Sequence, residues 1–357
     1  MPLENLNWFA NLDAYRCDWN IGPHSGQVKA SVEPSSKGLI QVEYSGQVQP
    51  TDVLTLKWID ETGRLVDAYN LKFQKHPTPE WKMEANAQIQ LENDRYLSGA
   101  RTVYLKGRDS ELAFDQTSGG LLWGLKANEI VLQRGPTFHI LPSDDPQGVE
   151  PKGWKFTSVS HDAGVVRWNG EFGSEFVGGY AIRMDSNGNV EAEYRFTYNG
   201  PDLYVRELGL DFELPLAFDQ LSWERDSEYS YYPSDHMDRT EGAVLAHPTV
   251  SQTAPPVGRP YELDDHPWGC NDFRSTKRGV YWATLENVAG KGIHVVSDGS
   301  QHVRASVGVH GISIKVLDFY GGLGGPTSWA NEAFHYGTGR LLKTGETVTG
   351  KVRFEMK

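Results

Sequence analysis

Val190-Glu-Ala-Glu-Tyr-Arg-Phe-Thr-Tyr198 alternates apolar and polar residues at every step. A strand sends successive side chains to opposite faces, so this pattern predicts one buried face and one solvated face, as in an antiparallel sheet covered on one side. The same period of two runs through Gly38-Leu-Ile-Gln-Val-Glu-Tyr44, Val53-Leu-Thr-Leu-Lys-Trp58 and Val348-Thr-Gly-Lys-Val-Arg-Phe354, each of which is expected to be a strand. Turn residues punctuate the runs. Asp60-Glu-Thr-Gly-Arg64 and Asp185-Ser-Asn-Gly-Asn189 combine an acidic side chain with a glycine, as tight hairpin connections do. No segment of about 12 residues carries a convincing helical period. The fold class expected is therefore all-β, a sandwich of many strands.

The chain has 357 residues, enough for two or more domains and a sizeable core. Strand count and spacing predict a small immunoglobulin-like sandwich over residues 1–75. His76-Pro-Thr-Pro-Glu80 reads as a linker, since its two prolines fix φ and remove donors. From residue 81 to 357 strands follow without a clear break, as one very large sandwich or two fused ones. Against 34 Lys and Arg stand 47 Asp and Glu, a formal charge of −13. Such a surface repels nucleic acid and anionic membranes and points to neutral or cationic partners. The charged fraction of 23% and aromatic fraction of 11% fit an ordered globular chain. Cys17 and Cys270 stand alone, which excludes a disulfide framework and argues against structural zinc. The first residues have neither a basic nor an apolar signal region, and no apolar run approaches the ~20 residues of a membrane helix. A cytoplasmic location is the expectation.

No nucleophile elbow, phosphate loop, HExxH or EF-hand pattern occurs, and no cofactor or metal is expected. The densest polar cluster is Tyr231-Tyr-Pro-Ser-Asp-His-Met-Asp-Arg239, which gathers Asp235, His236, Asp238 and Arg239. It reads as a substrate or metal corner, or as a loop whose carboxylates cap turns and pair with Arg239; Pro and Asp by themselves favour the loop. Asp264-Asp-His-Pro-Trp-Gly-Cys-Asn-Asp-Phe-Arg274 poses the same choice. Asp265 and His266 suit acid–base work or a metal, yet Trp268 and an Asp272–Arg274 pair suit a structured loop. Glu224 and Glu228 stand four apart, hence on one face of a strand, a spacing compatible with the two carboxylates of a glycosidase. Phe319-Tyr-Gly-Gly-Leu-Gly-Gly-Pro-Thr-Ser-Trp329 sets four glycines and a proline before one indole. That loop presents Trp329 either to the core or as a platform for the apolar face of a sugar.

Several segments together resemble the C-terminal region of glycoside hydrolase family 2 β-galactosidases. Leu112 to Lys126 is similar to the strand, D-x-x-T-G-x-L turn and strand that open the small-chain domain. Arg134-Gly-Pro-Thr-Phe138 with Pro142-Ser-Asp-Asp145, Arg206 to Pro215, Tyr232-Pro233 through Arg239, and Gly321 to Trp329 resemble further motifs in the same order. Asn11 to Tyr15 with Trp19, and Asp60 to Val66, resemble the preceding immunoglobulin-like domain. The resemblance spans nearly the whole chain and implies a small immunoglobulin-like sandwich followed by a large antiparallel β-supersandwich. It implies that Trp329, with Ser328 and Trp268 nearby candidates, borders a galactoside-like sugar site. It also implies that the catalytic glutamates lie in a TIM barrel carried by a partner chain or domain, so that this chain holds no catalytic residue. Pro326 and Thr327 replace the paired acids of the family's glycine-rich motif, and few residues precede the N-L-D segment, as in a truncated piece or one subunit of a split enzyme. Two other readings stand beside it. With 11 Trp and 16 Tyr the chain suits a carbohydrate-binding β-sandwich acting alone. Asp235, His236, Asp265 and His266 would build the site of a stand-alone hydrolase.

Overall fold

A computed structural model describes residues 1–49, 51–73, 81–93, 101–142, 153–162, 164–225, 239–246, 273, 275–308, 310–321 and 339–357. Among these residues the chain is almost entirely β, and its one helical element is the 3-10 turn Leu12–Ala14. The all-β reading is therefore correct. By contact the described residues divide into two compact units: residues 1–73 with 239–240, and the others from 81 onward.

The first unit holds six strands: β1 (Pro2–Asn5), β2 (Arg16–Ile21), β3 (His24–Val28), β4 (Ser36–Leu39), β5 (Val53–Ile59) and β6 (Leu65–Lys72). β1 pairs with β4, and the other four form an antiparallel sheet in the order β3-β2-β5-β6. Their inward residues, Cys17, Ile21, Leu54, Leu56 and Trp58, meet Ala30, Val32 and Ile40 in one core. Cys17 is a free thiol wholly inside it, where burial first and the Asp18 carboxylate second push its pKa up to about 11. Asp60 turns β5 into β6 as its sequence predicts: Oδ1 accepts from the backbone N–H of Thr62 and of Arg64, each at 2.9 Å, and Gly63 sits at φ 85°. The strand expected over Gly38–Tyr44 is different. β4 ends at Leu39, although Ile40, Val42 and Tyr44 all pack on this core. Ile40 still exchanges backbone hydrogen bonds with Met1, but for Val42 and Tyr44 the alternation records burial without a hydrogen-bonded ladder.

The second unit contains two sheets. The smaller has the order β11-β10-β9-β8-β7, from β7 (Gln88–Asn93), β8 (Arg101–Lys106), β9 (Ser110–Asp115), β10 (Leu121–Lys126) and β11 (Glu129–Leu132). The larger follows β12 (Arg134–Pro142), β13 (Trp154–Asp162), β14 (Val165–Phe172), β15 (Phe176–Met184), β16 (Asn189–Tyr198) and β17 (Leu203–Pro215) with β18 (Gln220–Arg225), β19 (Glu241–Leu245), β20 (Lys277–Glu286), β21 (Gly292–Val307), β22 (Gly311–Tyr320), β23 (Arg340–Leu342) and β24 (Thr347–Met356). Its main path is β12-β17-β22-β21-β24-β16-β15-β14-β13, and every recorded pairing is antiparallel.

β16 shows why this sheet forms. Val190, Ala192, Tyr194, Phe196 and Tyr198 are buried on one face, while Glu191, Glu193, Arg195 and Thr197 take the other. Burying each large apolar side chain contributes about 1.5–3 kcal/mol before the entropy of ordering is charged. The apolar face packs in layers: the Phe138 ring stacks on Phe196 with centroids 4.6 Å apart, and Trp168 meets Phe114 of the smaller sheet at 4.4 Å. At the Asp185 turn between β15 and β16, Oδ1 accepts from the backbone N–H of Asn187 and of Asn189, and Gly188 has φ 92°. Burial opposes ionisation of Asp185, but the hydrogen bonds, led by Asn189, hold its carboxyl below its usual pKa.

Candidate functional site

The polar face of the larger sheet carries two assemblies of charged side chains. Register keeps their residues on one side. His294 lies opposite Glu355, Arg353 opposite Glu191, and Lys351 opposite Glu193; further along β21, Arg304 lies opposite Lys315, which lies opposite Asp211.

The first assembly is built on Glu207, which is 2% exposed. Its Oε1 accepts from Arg304 Nη1 at 2.6 Å, and its Oε2 accepts from Arg304 Nη2 at 2.5 Å and meets His139 Nε2 at 2.7 Å. Burial alone would raise the Glu207 pKa; the His139 hydrogen bond and the Arg304 charge outweigh it and hold the carboxylate ionised. Burial pushes His139 the other way, below its ordinary value, although Glu207 pulls upward. A neutral imidazole beside a carboxylate carries its proton on Nε2 and donates it to Glu207. Nδ1 is then a buried acceptor, and it has no partner among the described residues. Next to this trio Ser313 Oγ donates to Asp211 Oδ1 at 2.5 Å, and Lys315 donates to Ser313 Oγ at 2.9 Å and stands 3.4 Å from Asp211. Every oxygen of Glu207 is already engaged, so the trio is a brace between strands and offers no free carboxylate to a ligand.

The second assembly is an open groove. β15 presents Val177, Gly179 and Ala181 to the polar face, between the longer side chains of β14 and β16. Arg167, Ala181, Glu193 and Lys351 form one row across β14, β15, β16 and β24; Asn169, Gly179, Arg195 and Thr349 form the next. Because β15 carries almost no side-chain bulk there, the rows leave a groove of about 620 Å³ with Arg167 and Asn169 on one wall and Glu193, Arg195 and Thr197 on the other. Gly178 and Gly179 leave no room for anything larger: a Cβ on them would strike the carbonyl oxygens of Arg195 and Trp168. Lys351 is anchored at 2.6 Å to Glu193 and 3.2 Å to Glu191, and these contacts, Glu193 first, raise its pKa against burial.

Beneath the groove lies Asp318, the extra residue of a bulge in β22. Its Oδ1 accepts from Gln301 Nε2 at 2.7 Å, while Oδ2 is buried beside Gly350 and the Tyr194 ring without a well-directed hydrogen bond. Burial raises its pKa above the ordinary value, Gln301 and Tyr194 opposing. Elsewhere on the sheet His294 meets Thr284 Oγ1 at 2.7 Å, and burial followed by the Lys357 charge lowers its pKa to about 4. His302 falls to about 4 as well, through burial and then the charges of Arg278 and Arg225.

Trp329, Ser328, Trp268, Asp235, His236, Asp265 and His266 all lie outside the described residues, as do Asp238, Asp272, Arg274 and Glu228. Arg239 is described and half-buried, and groups with the first unit. Glu224 is 6% exposed and accepts from Trp282 Nε1 at 2.8 Å, which makes it a buried structural acceptor. Of the glycine-rich stretch the described residues include Phe319 to Gly321, and the Gly321 N–H donates to the Arg206 carbonyl at 2.7 Å. Among the described residues no group of three or more His, Cys, Asp and Glu is arranged to hold a metal, and no helix is long and apolar enough to cross a membrane. Sequence reading missed the groove. The doublet Gly178-Gly179 inside an alternating strand was its one signal, since glycine in a strand interior marks a close approach or a gap.

No family model matches the chain, and no curated protein does. Solved structures do overlap with it. One is a galactose mutarotase-like protein from Lactobacillus casei, with 12% identity over 72% of this chain and 100% of that one, at a TM-score of 0.43. A galactose mutarotase related enzyme from Lactobacillus acidophilus has 8% identity over 72% and 97%, TM-score 0.41. A galactose 1-epimerase from the same species has 10% identity over 77% and 99%, TM-score 0.35. These neighbours are mutarotase-like proteins and not β-galactosidase domains, so the family 2 assignment is overturned, and the expected TIM-barrel partner loses its support with it. The structure shows why the motifs misled. In Leu112–Lys126, Asp115 Oδ1 accepts from the backbone N–H and the hydroxyl of Thr117 at 2.8 and 2.7 Å, closing an ordinary hairpin turn between β9 and β10. Arg206–Pro215 lies within the long sheet strand β17. Asp, Thr and Gly recur at such turns for reasons of backbone chemistry, whatever the family.

Proposed function

We propose that this chain binds carbohydrate, a galactoside-like sugar among the candidates, in the groove between β14 and β16. The observation that supports the reading is the groove's shape and lining. Its volume of about 620 Å³ lies within the range of small-ligand sites. A sugar offers hydroxyls that both donate and accept. Asn169, Thr197 and Thr349 offer both functions, the Glu193 carboxylate accepts, and the arginines and Lys351 donate. The low floor of Gly179 and Ala181 lets one face of a sugar ring lie against the backbone. The test is calorimetric titration of the full chain with neutral galacto-oligosaccharides and a wider saccharide panel. Ala181→Leu fills the groove from a polar-face position. Millimolar or tighter binding is expected in the parent, weakened by about tenfold or more in Ala181→Leu at unchanged melting temperature. Equal binding by parent and Ala181→Leu, or no saccharide bound at all, would sink the reading.

A further inference from the structure

Four charged side chains line the groove: Arg167, Arg195, Lys351 and Glu193. Lys351 and Glu193 are 2.6 Å apart and cancel. Lys351 also meets Glu191, which Arg353 holds from its other oxygen at 3.1 Å, so the lower end of the groove is already neutralised. Arg167 and Arg195 differ. Both are exposed, and neither guanidinium has a hydrogen bond, ion pair or ring contact among the described residues. They face each other diagonally over the gap: Arg167 pairs across Ala181, and Arg195 across Gly179. Two strand spacings and two residue steps put their Cα atoms about 12 Å apart, within reach of one bound sugar ring from both sides. The whole chain carries a formal charge of −13. Two uncompensated cations in one groove of so acidic a protein create a local positive field, which selects for negative charge on the ligand. Guanidinium groups bind planar or tetrahedral oxyanions through paired N–H donors.

We propose that the groove takes an anionic saccharide, one bearing carboxylate or sulfate groups, with Arg167 and Arg195 as its anion-binding side chains. The inference rests on the carbohydrate reading above and narrows it to acidic sugars. The test titrates the full chain with three probes matched in length: a galactose tetramer, a galacturonate tetramer and a sulfated galactose tetramer. Each is measured at low and at physiological salt, with the parent and with Arg167→Gln, Arg195→Gln and the double variant. At least one acidic tetramer should bind tenfold or more tighter than the neutral one. That advantage should shrink with salt and fall to within about twofold in the double variant, with melting temperature unchanged. The better of the two acidic probes identifies the anion. If neutral and acidic tetramers bind alike, or the double variant keeps the preference, the anionic assignment fails while carbohydrate binding stands. If no tetramer binds, both readings fail. If inorganic sulfate alone competes as strongly as the tetramers bind, the groove is an anion site and the saccharide assignment is wrong.

Discussion

Asp318 shows how one residue can be read for pH behaviour. The bulge in β22 turns this carboxyl beneath the sheet, where burial raises its pKa and the Gln301 and Tyr194 contacts only partly oppose. An acid whose native pKa exceeds its unfolded value binds its proton more tightly when folded. Its contribution is therefore most favourable below the unfolded pKa, near 3.8, and is lost as pH rises through the native value. Above that native value the protein holds an under-solvated charge. Asn at this position keeps an oxygen for Gln301 and gives the Tyr194 oxygen an N–H. Asp318→Asn should therefore match or exceed the parent in urea stability at pH 8, with the difference vanishing below pH of about 3.8. A variant markedly less stable at pH 8 would show that the ionised carboxylate is well satisfied after all. None of this was legible in the sequence, because Asp318 precedes Phe319 in a strand and nothing local marks the bulge.

At the level of elements, the alternating strands were readable and their cross-strand partners were not. β5, β16 and β24 coincide with stretches picked out by period two, because each buries one face on a continuous core. Gly38–Tyr44 shared that pattern, yet past Ile40, which still exchanges backbone hydrogen bonds with Met1, its backbone joins no ladder among the described residues. Period two reports which face is buried, and pairing needs a neighbour that only tertiary structure supplies. The brace that joins β12, β17 and β21 was invisible for the same reason: His139 and Glu207 are 68 residues apart, and Glu207 and Arg304 are 97 apart. Removing Glu207 tests what the brace contributes. Glu207→Ala leaves a buried imidazole without its acceptor and an arginine without its anion. Breaking a buried pair from one side costs about 3–5 kcal/mol, and Arg304, a quarter exposed, can turn to water. A loss of about 3 kcal/mol is expected in urea denaturation. A loss below ~1 kcal/mol would mean that the three strands are held by their apolar face alone.

At the scale of the molecule, the described residues form two cores that share no residue, one around Cys17, Leu56 and Trp58 and one running from Ala87 to Met356. The linker expected over residues 76–80 lies outside the described residues, so the boundary rests on contact and core membership. Size then decides how each core responds to damage. A small domain buries a smaller fraction of its surface and unfolds with less entropy, so a given loss of free energy moves its melting temperature further. Ile21 and Ile314 are 3% and 0% exposed, one in each core. Shortening either to valine removes the same methylene and costs about 1 kcal/mol. Scanning calorimetry of the full chain should resolve two transitions. Ile21→Val should lower only the smaller one, by about 4–8 °C, and Ile314→Val only the larger one, by about 2–4 °C. A single transition shifted by both variants would mean that the two cores melt as one cooperative body, and the division of the chain into two domains would then have no thermodynamic meaning.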